Sequence, residues 1–355
     1  MTTTRAEPTS APPSSSSWRL ARQWNTSYPV FLVVAASMLT LMAVGGHPPT
    51  AALGFAVLQY TASIGPVALA FGLVMLAGQF DLSVSSVFVV AGIIAVKTGN
   101  SSWVLGLMCA IAFAVIVGIV QGLLVGRLGA PSLPVTLGGL ITLGGLAYVM
   151  TGSQSIAYDD YEIGIRLQEP IATFFSIQSL VALACFAVAH VVLRYARPGR
   201  DTYAVGGNAS AARSAGIKVA LITTTVFAVS AALAALSGAL VAFTLASASP
   251  VNASDPLIPA AIGAVVGGVG VRGGTGSPLG VLAGVLTLGI IQAAFNVLAA
   301  PEYVTKLVYG ALLIGALIAA TDGQSAWRAF VARRSSWAPT VRDQDSRVRR
   351  PDSPS

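Results

Sequence analysis

The side chains that most often carry chemistry are scarce and scattered in this chain. The two histidines, His47 and His190, and the two cysteines, Cys109 and Cys185, have no metal-ligand spacing. Both cysteines sit inside apolar runs and read as small buried apolar residues rather than as a disulfide. The acidic cluster Asp159, Asp160 and Glu162 has no histidine beside it, which leaves a membrane-embedded hydrolase without its acid/base or metal groups. What remains is a set of polar residues within otherwise apolar sequence. Gln79, Asp81, Ser83, Ser85 and Ser86 form the polar end of an apolar hairpin. They read either as a pathway or gating element, or as a capped turn in which Asp81 accepts backbone N–H bonds at the next helix's start. Gln121 lies inside another apolar run, and Gln292 and Asn296, four apart, share one helix face. These amides either line a polar pathway and meet solute hydroxyls, or hydrogen-bond across a helix interface.

The elements that must position these residues follow from composition. Of 355 residues, 55% are hydrophobic and 9% charged, against about 25% charged in a soluble domain. A soluble enzyme and a disordered chain are both excluded. Apolar runs fall at 29–46, 52–77, 83–97, 103–125, 132–150, 172–193, 220–246, 257–271, 276–299 and 302–321. The sequence therefore predicts an all-α, polytopic membrane protein with about ten transmembrane helices. The runs 83–97 and 257–271 are shorter than the roughly 17–25 residues of a full span and read as tilted, broken or re-entrant. No run carries a central Asp, Glu, Lys or Arg; Lys97, Glu302 and Lys306 sit at edges. Proton- or sodium-coupled transporters commonly need intramembrane acids or histidines, so the driving energy is expected from outside this chain.

The net charge of +7 has a side. With ten crossings and the N-terminus inside, seventeen of the twenty basic residues fall on the cytoplasmic side, leaving Lys97, Arg166 and Lys306 outside. Both termini are expected to be cytoplasmic. Residues 1–28, rich in Ser, Thr, Pro and Ala, read as a disordered tail, 29–321 as the transmembrane domain, and 322–355 as a basic disordered tail near anionic lipid headgroups. No folded module accompanies the charge, so nucleic acid is not an expected partner.

Glycine is abundant, with 37 residues. Most spans use it for close helix packing, while the stretch 263–276 is the best candidate for a broken helix lining a cavity. The one large inner connection, 194–219, reads RYARPGRDTYAVGGNASAARSAGIKV. Pro198-Gly199 begins a turn, Gly206-Gly207-Asn208 makes a second break, and Gly216 closes a short helix over Ala209–Ser214. That helix is either a solvated loop or a docking element for a cytoplasmic partner that supplies energy.

The segment from Gly199-Arg200 through Tyr203-Ala204-Val205-Gly206-Gly207-Asn208 to Ala211-Ala212-Arg213 and Gly216-Ile217 resembles the cytoplasmic coupling loop of ribose-type permeases of bacterial ATP-binding cassette importers. Three further stretches resemble the same family in the same order: GLVMLAGQFDLSVSSVFVVAG at 72–92, GLLVGRLGAPSLPVTLGGLITLGGLAYVMTGSQSI at 122–156, and VVGGVGVRGGTGSPLGVLAGVLTLGIIQ at 265–292. The resemblance implies a plasma-membrane permease subunit that is not itself an enzyme and pairs with a second copy or a similar permease around a central pathway. It implies a separate ATP-binding cassette ATPase, which binds ATP and Mg, and an extracytoplasmic binding protein that delivers a monosaccharide or similar small solute. Gly206, Gly207, Asn208, Ala211, Ala212, Arg213 and Gly216 are the positions it assigns to ATPase coupling. Three residues depart from the pattern: Ser85 replaces a usual glycine, and Ala209-Ser210 stand where acidic residues are common. Permeases for branched-chain amino acids, nucleosides or polyols are the alternative.

Overall fold

The computed structural model describes Gly46 and residues 50–251 and 256–335, with side chains as far as residue 318. Apart from Gly46, the expected span 29–46, the N-terminal tail and residues 336–355 lie outside the described residues. Within them the chain is almost wholly helical. The helices are α1 (Ala51–Leu76), α2 (Val84–Gly99), α3 (Trp103–Gly126), α4 (Ser132–Thr151), α5 (Tyr161–Gln168), α6 (Ile177–Tyr195), α7 (Arg197–Gly207), α8 (Ala209–Ser214), α9 (Val219–Thr244), α10 (Leu257–Val266), α11 (Pro278–Val297) and α12 (Glu302–Ser335).

Six of these, α1, α3, α4, α6, α9 and α11, are long and apolar enough to cross a membrane. The two short apolar runs become short helices: α2 with 16 residues and α10 with 10. The helix boundaries have local causes. Thr50 caps α1 by accepting the Leu53 N–H. Ser176 and Ser179 exchange side chain-to-backbone bonds at the start of α6, which is why that helix begins at Ile177 rather than at 172. The last helix continues to Ser335, past residue 321, through a stretch rich in Ala and Arg that favours helix. Its residues from Ile314 onward form a separate compact unit.

The core is built around α9, which packs on α3, α2 and α1. Gly118, Gly122 and Gly126 of α3 form a stripe at four-residue spacing that lies against the α9 backbone. A methyl on Gly122 would sit 2.6 Å from the Thr224 Cα, and one on Gly126 2.8 Å from the Ala220 carbonyl oxygen. Small residues let two apolar helices exchange dispersion contacts along their backbones, the main attraction available where lipid is as apolar as the side chains. By contrast, α3, α4 and α6 turn Met108, Ile116, Ile141, Val149 and Val188 outward, as lipid-facing helices must.

The connection 151–171 is not featureless. It carries α5, capped by Asp160, and a two-residue antiparallel ribbon in which β1 (Ile156–Ala157) pairs with β2 (Ser247–Ala248). Buried Tyr158 anchors this cover by donating to the Gly99 carbonyl at 3.2 Å.

Candidate functional site

The connection 194–219 holds two helices where one was expected. Pro198-Gly199 does not turn the chain but opens α7, with Pro198 in the first turn, where its missing N–H costs no helical bond. The break at Gly206-Gly207-Asn208 is present: α7 ends at Gly207, and extended Asn208 caps α8 by accepting the Ala211 N–H at 3.0 Å. Gly216 (φ 84°) closes α8, and the Ile217 N–H returns to the Ala212 carbonyl at 3.0 Å, the usual left-handed helix stop. Of residues 207–216 only Ala212 is buried; Asn208, Ala211 and Arg213 face out. This is a short rigid helix with one anchored side and one open side.

Its base is held backbone to backbone. Gly206 is buried at the end of α7, directly against the Leu76 carbonyl oxygen, so a Cβ there would overlap that oxygen. The same carbonyl accepts the Gly274 N–H at 2.9 Å. A Cβ on Gly274 would lie 2.7 Å from the Gly207 Cα, and one on Gly273 2.6 Å from the Gly78 Cα. Gly273 and Gly274 have φ of 80° and 70°, values open to glycine at little cost. Tyr203 adds a side-chain bond, donating to the Gly276 carbonyl at 2.8 Å. Burial pushes its phenol up to about 12, so the donor proton stays in place. The end of α7, the end of α1 and the glycine-rich stretch after α10 therefore meet at one point.

The turn that follows α1 carries the second cluster. Gln79 is half-buried and bonds through its backbone N–H to the Val74 carbonyl. Asp81 is buried and its Oδ1 accepts the Ser83 N–H at 3.0 Å and the Ser83 hydroxyl at 2.6 Å. The Ser83 Oγ also lies 3.0 Å from Gln121 Oε1 in α3, so one proton is shared between two acceptors. Ser230 of α9 donates to Asp81 Oδ2 at 3.4 Å. Burial pushes the Asp81 carboxyl above its ordinary value, against the opposing pull of the bonds from Ser83 and Ser230. Ser86 is tied elsewhere, donating to the Leu140 carbonyl of α4 at 2.7 Å, and Ser85 is buried in the first turn of α2. Asp81 thus accepts bonds at the start of α2 and, directly to Ser230 and through Ser83 to Gln121, ties that start to α9 and α3. Ser230 was not singled out from sequence, since one serine among alanines carries no local signal.

In the first half of α1, about 24 Å from Leu76 along the helix axis, a third set of polar groups converges. The Tyr60 and Tyr309 hydroxyls lie 3.1 Å apart, Tyr309 donates to Gln292 Oε1 at 3.2 Å, and Gln292 Nε2 donates to Asn296 Oδ1 at 3.2 Å. The shared helix face of Gln292 and Asn296 is realised, with Asn296 exposed and Gln292 half-buried. Nearby, Gln59 Oε1 accepts the Ser176 hydroxyl at 2.9 Å, while the buried amide nitrogens of Gln59 and Gln178 have no partner. Among the described residues no three His, Cys, Asp or Glu side chains gather to hold a metal. The groups that this set brings together are neutral hydroxyls and amides.

Residues 52–317 match the family described as branched-chain amino acid transport system / permease component. The chain is 29% identical to the L-arabinose transport system permease protein AraH of Escherichia coli, over 72% of this chain and 78% of that protein. It is 28% identical to the ribose import permease protein RbsC of Haemophilus influenzae, over 74% and 83% respectively. A probable ABC transporter permease protein of Sinorhizobium fredii, y4mJ, is 29% identical over 81% and 87%. No solved structure matches the chain. On the strength of a match over most of its length, this multi-pass membrane protein belongs to the branched-chain amino acid transport system / permease component family.

Proposed function

We propose that this chain is the membrane-spanning permease subunit of an ATP-driven importer that moves a monosaccharide or similar small polar solute. The observation that carries the reading is the inner connection: α8 is exposed on one side and mounted through α7 on the ends of two membrane helices. An ATP-binding cassette ATPase docks there, and its closure on ATP and Mg shifts the spans between two arrangements. Hydrolysis takes place in that partner, and this chain performs no chemistry on the solute. The distribution of basic residues supports ten spans with both termini in the cytoplasm of a bacterial inner membrane. An extracytoplasmic binding protein delivers the solute, and a second permease copy or a similar chain completes the pathway.

The family description raises branched-chain amino acids as a second reading. A zwitterionic amino acid calls for charged or helix-end partners. The chain Tyr60–Tyr309–Gln292–Asn296 offers only neutral donors and acceptors, which suits hydroxyl-rich solutes such as those named for the arabinose and ribose relatives. Gln79, Asp81, Ser83, Ser85, Ser86 and Gln121 belong in this reading to a gate at the opposite end of α1. Uptake of labelled L-arabinose, D-ribose and leucine by cells expressing the chain with its ATPase and binding protein tests the assignment. Uptake of a sugar but not leucine is expected; uptake of leucine alone contradicts it.

A further inference from the structure

We infer that Gly206, Gly274 and the Leu76 carbonyl form the joint through which displacement of the docking helices reaches the membrane spans. The inference rests on the importer reading and concerns how that reading works. Three separate segments meet there without an intervening side chain. The end of α7 presents buried Gly206 to the Leu76 carbonyl oxygen; that oxygen accepts the Gly274 N–H at 2.9 Å; and the Gly206 carbonyl oxygen stands 2.8 Å from where a Cβ on Gly273 would lie. Close-packed backbone has low compressibility. A flexible side chain at such a contact would change rotamer and absorb a shift of an ångström, whereas two backbones in contact must move together.

The joint is also placed to distribute the movement. On one side, Leu76 ends α1, and Asp81, five residues on, is bonded to Ser83 and Ser230 while Ser83 is bonded to Gln121, so the start of α2, the last turns of α3 and the middle of α9 are gripped by the same turn. On the other, Gly274 and Gly276 lie just before α11, whose first residue is Pro278, and Tyr203 of α7 holds the Gly276 carbonyl directly. A shift of α7 therefore acts at once on the gate cluster and on the helix that carries Gln292 and Asn296 to the far polar set. These glycines are positioning residues: Gly206 and Gly274 face inward, away from the open side of α8.

The test separates attachment from transmission. The complex is reconstituted in liposomes with its ATPase and binding protein, and three quantities are read: ATPase recovered with the permease, ATP hydrolysed, and labelled L-arabinose or D-ribose moved per ATP. Gly206→Ala improves intrinsic helix propensity, so a loss cannot come from a weakened α7. In the complexes that retain their ATPase it is expected to lower solute moved per ATP at least tenfold, because the added methyl forces α7 away from Leu76. Tyr203→Phe, which keeps the ring and removes only the bond to Gly276, is expected to lower the same ratio two- to fivefold and guards against a Gly206 variant that fails to fold. An unchanged ratio in a folded Gly206→Ala complex, or in Tyr203→Phe should Gly206→Ala not fold, overturns the joint. Failure of the wild-type chain to recover any ATPase is a different result: it removes the importer reading, and the joint with it.

Discussion

Gly274 donates its backbone N–H to the Leu76 carbonyl at 2.9 Å, joining the glycine-rich stretch before α11 to the last turn of α1. The same carbonyl is covered by Gly206 from α7. Three of the four stretches that resemble the ribose-type permeases, distant in the chain, thus share one contact, which explains why two of them place glycine against the carbonyl of the third. The fourth, at 122–156, meets the others through Gln121 just before it and Ser86 bonded to Leu140.

The Asp81 cluster predicts different outcomes for two substitutions. Asp81→Ala leaves the Ser83 N–H and the Ser230 hydroxyl buried without the acceptor they share, while the Ser83 hydroxyl keeps Gln121 Oε1, a cost of about 1–3 kcal/mol for each group left unpaired. Asp81→Asn keeps an acceptor for Ser83 and places an amide beside Ser230. In thermal unfolding of the detergent-solubilised protein, Asp81→Ala is expected to melt at least about 4 °C below Asp81→Asn. Equal midpoints would show that the cluster contributes little to stability.

Helix packing makes a prediction of opposite sign at two glycines. Gly122→Ala places a methyl 2.6 Å from the Thr224 Cα, whereas nothing lies within 4 Å of a methyl on Gly138. The first substitution should destabilise by about 1–3 kcal/mol through overpacking, and the second should be neutral or stabilising by up to about 1 kcal/mol through helix propensity. Parallel melting curves decide; a destabilised Gly138→Ala would mean that this face of α4 is covered in the assembled protein.

Tyr309 is the centre of the polar chain at the first half of α1, bonded both to Tyr60 and to Gln292. If that chain meets the solute, Tyr309→Phe should raise the apparent KM for uptake about three- to tenfold, the loss of one to two modest hydrogen bonds, with ATPase recovery unchanged. Initial-rate uptake across a range of solute concentrations measures it. An unaltered KM with lowered stability would place the chain in packing alone.

Arg213 stands exposed in the last turn of α8. Arg213→Glu reverses charge on the open side of the docking helix and forfeits a favourable helix-end interaction of about 0.3–1 kcal/mol. The thermal midpoint should move by less than about 3 °C, while ATPase recovered with the permease falls at least tenfold. Retained ATPase in quantitative pull-down would move docking off this helix.

Much of the bundle was legible because a lipid solvent leaves a strong mark. The run 52–77 became α1 at Ala51–Leu76 and the run 103–125 became α3 at Trp103–Gly126, each within a residue or two. The break at Gly206-Gly207-Asn208 and the close at Gly216 were likewise local chemistry. Pro198-Gly199 misled because proline and glycine mark turns in isolation, yet proline also fits the first turn of a helix. What stayed hidden was long-range. The pairing of Asp81 with Ser230, of Tyr60 with Tyr309, and of Gly206 with Leu76 depends on which helix faces meet, and helix periodicity alone does not specify neighbours. Gln121 could be marked as an intramembrane amide but not assigned to Ser83 without the packing of α2 on α3.

The most direct test of the central claim, that this permease is driven by a partner ATPase docked on α7 and α8, is affinity purification of the intact chain from its native membrane in mild detergent. Mass spectrometry then identifies and quantifies what accompanies it. The account predicts an ATP-binding cassette ATPase in near-stoichiometric amount, with an extracytoplasmic binding protein at lower yield. Reproducible recovery of the folded chain without any ATPase would contradict it and point to a stand-alone transporter.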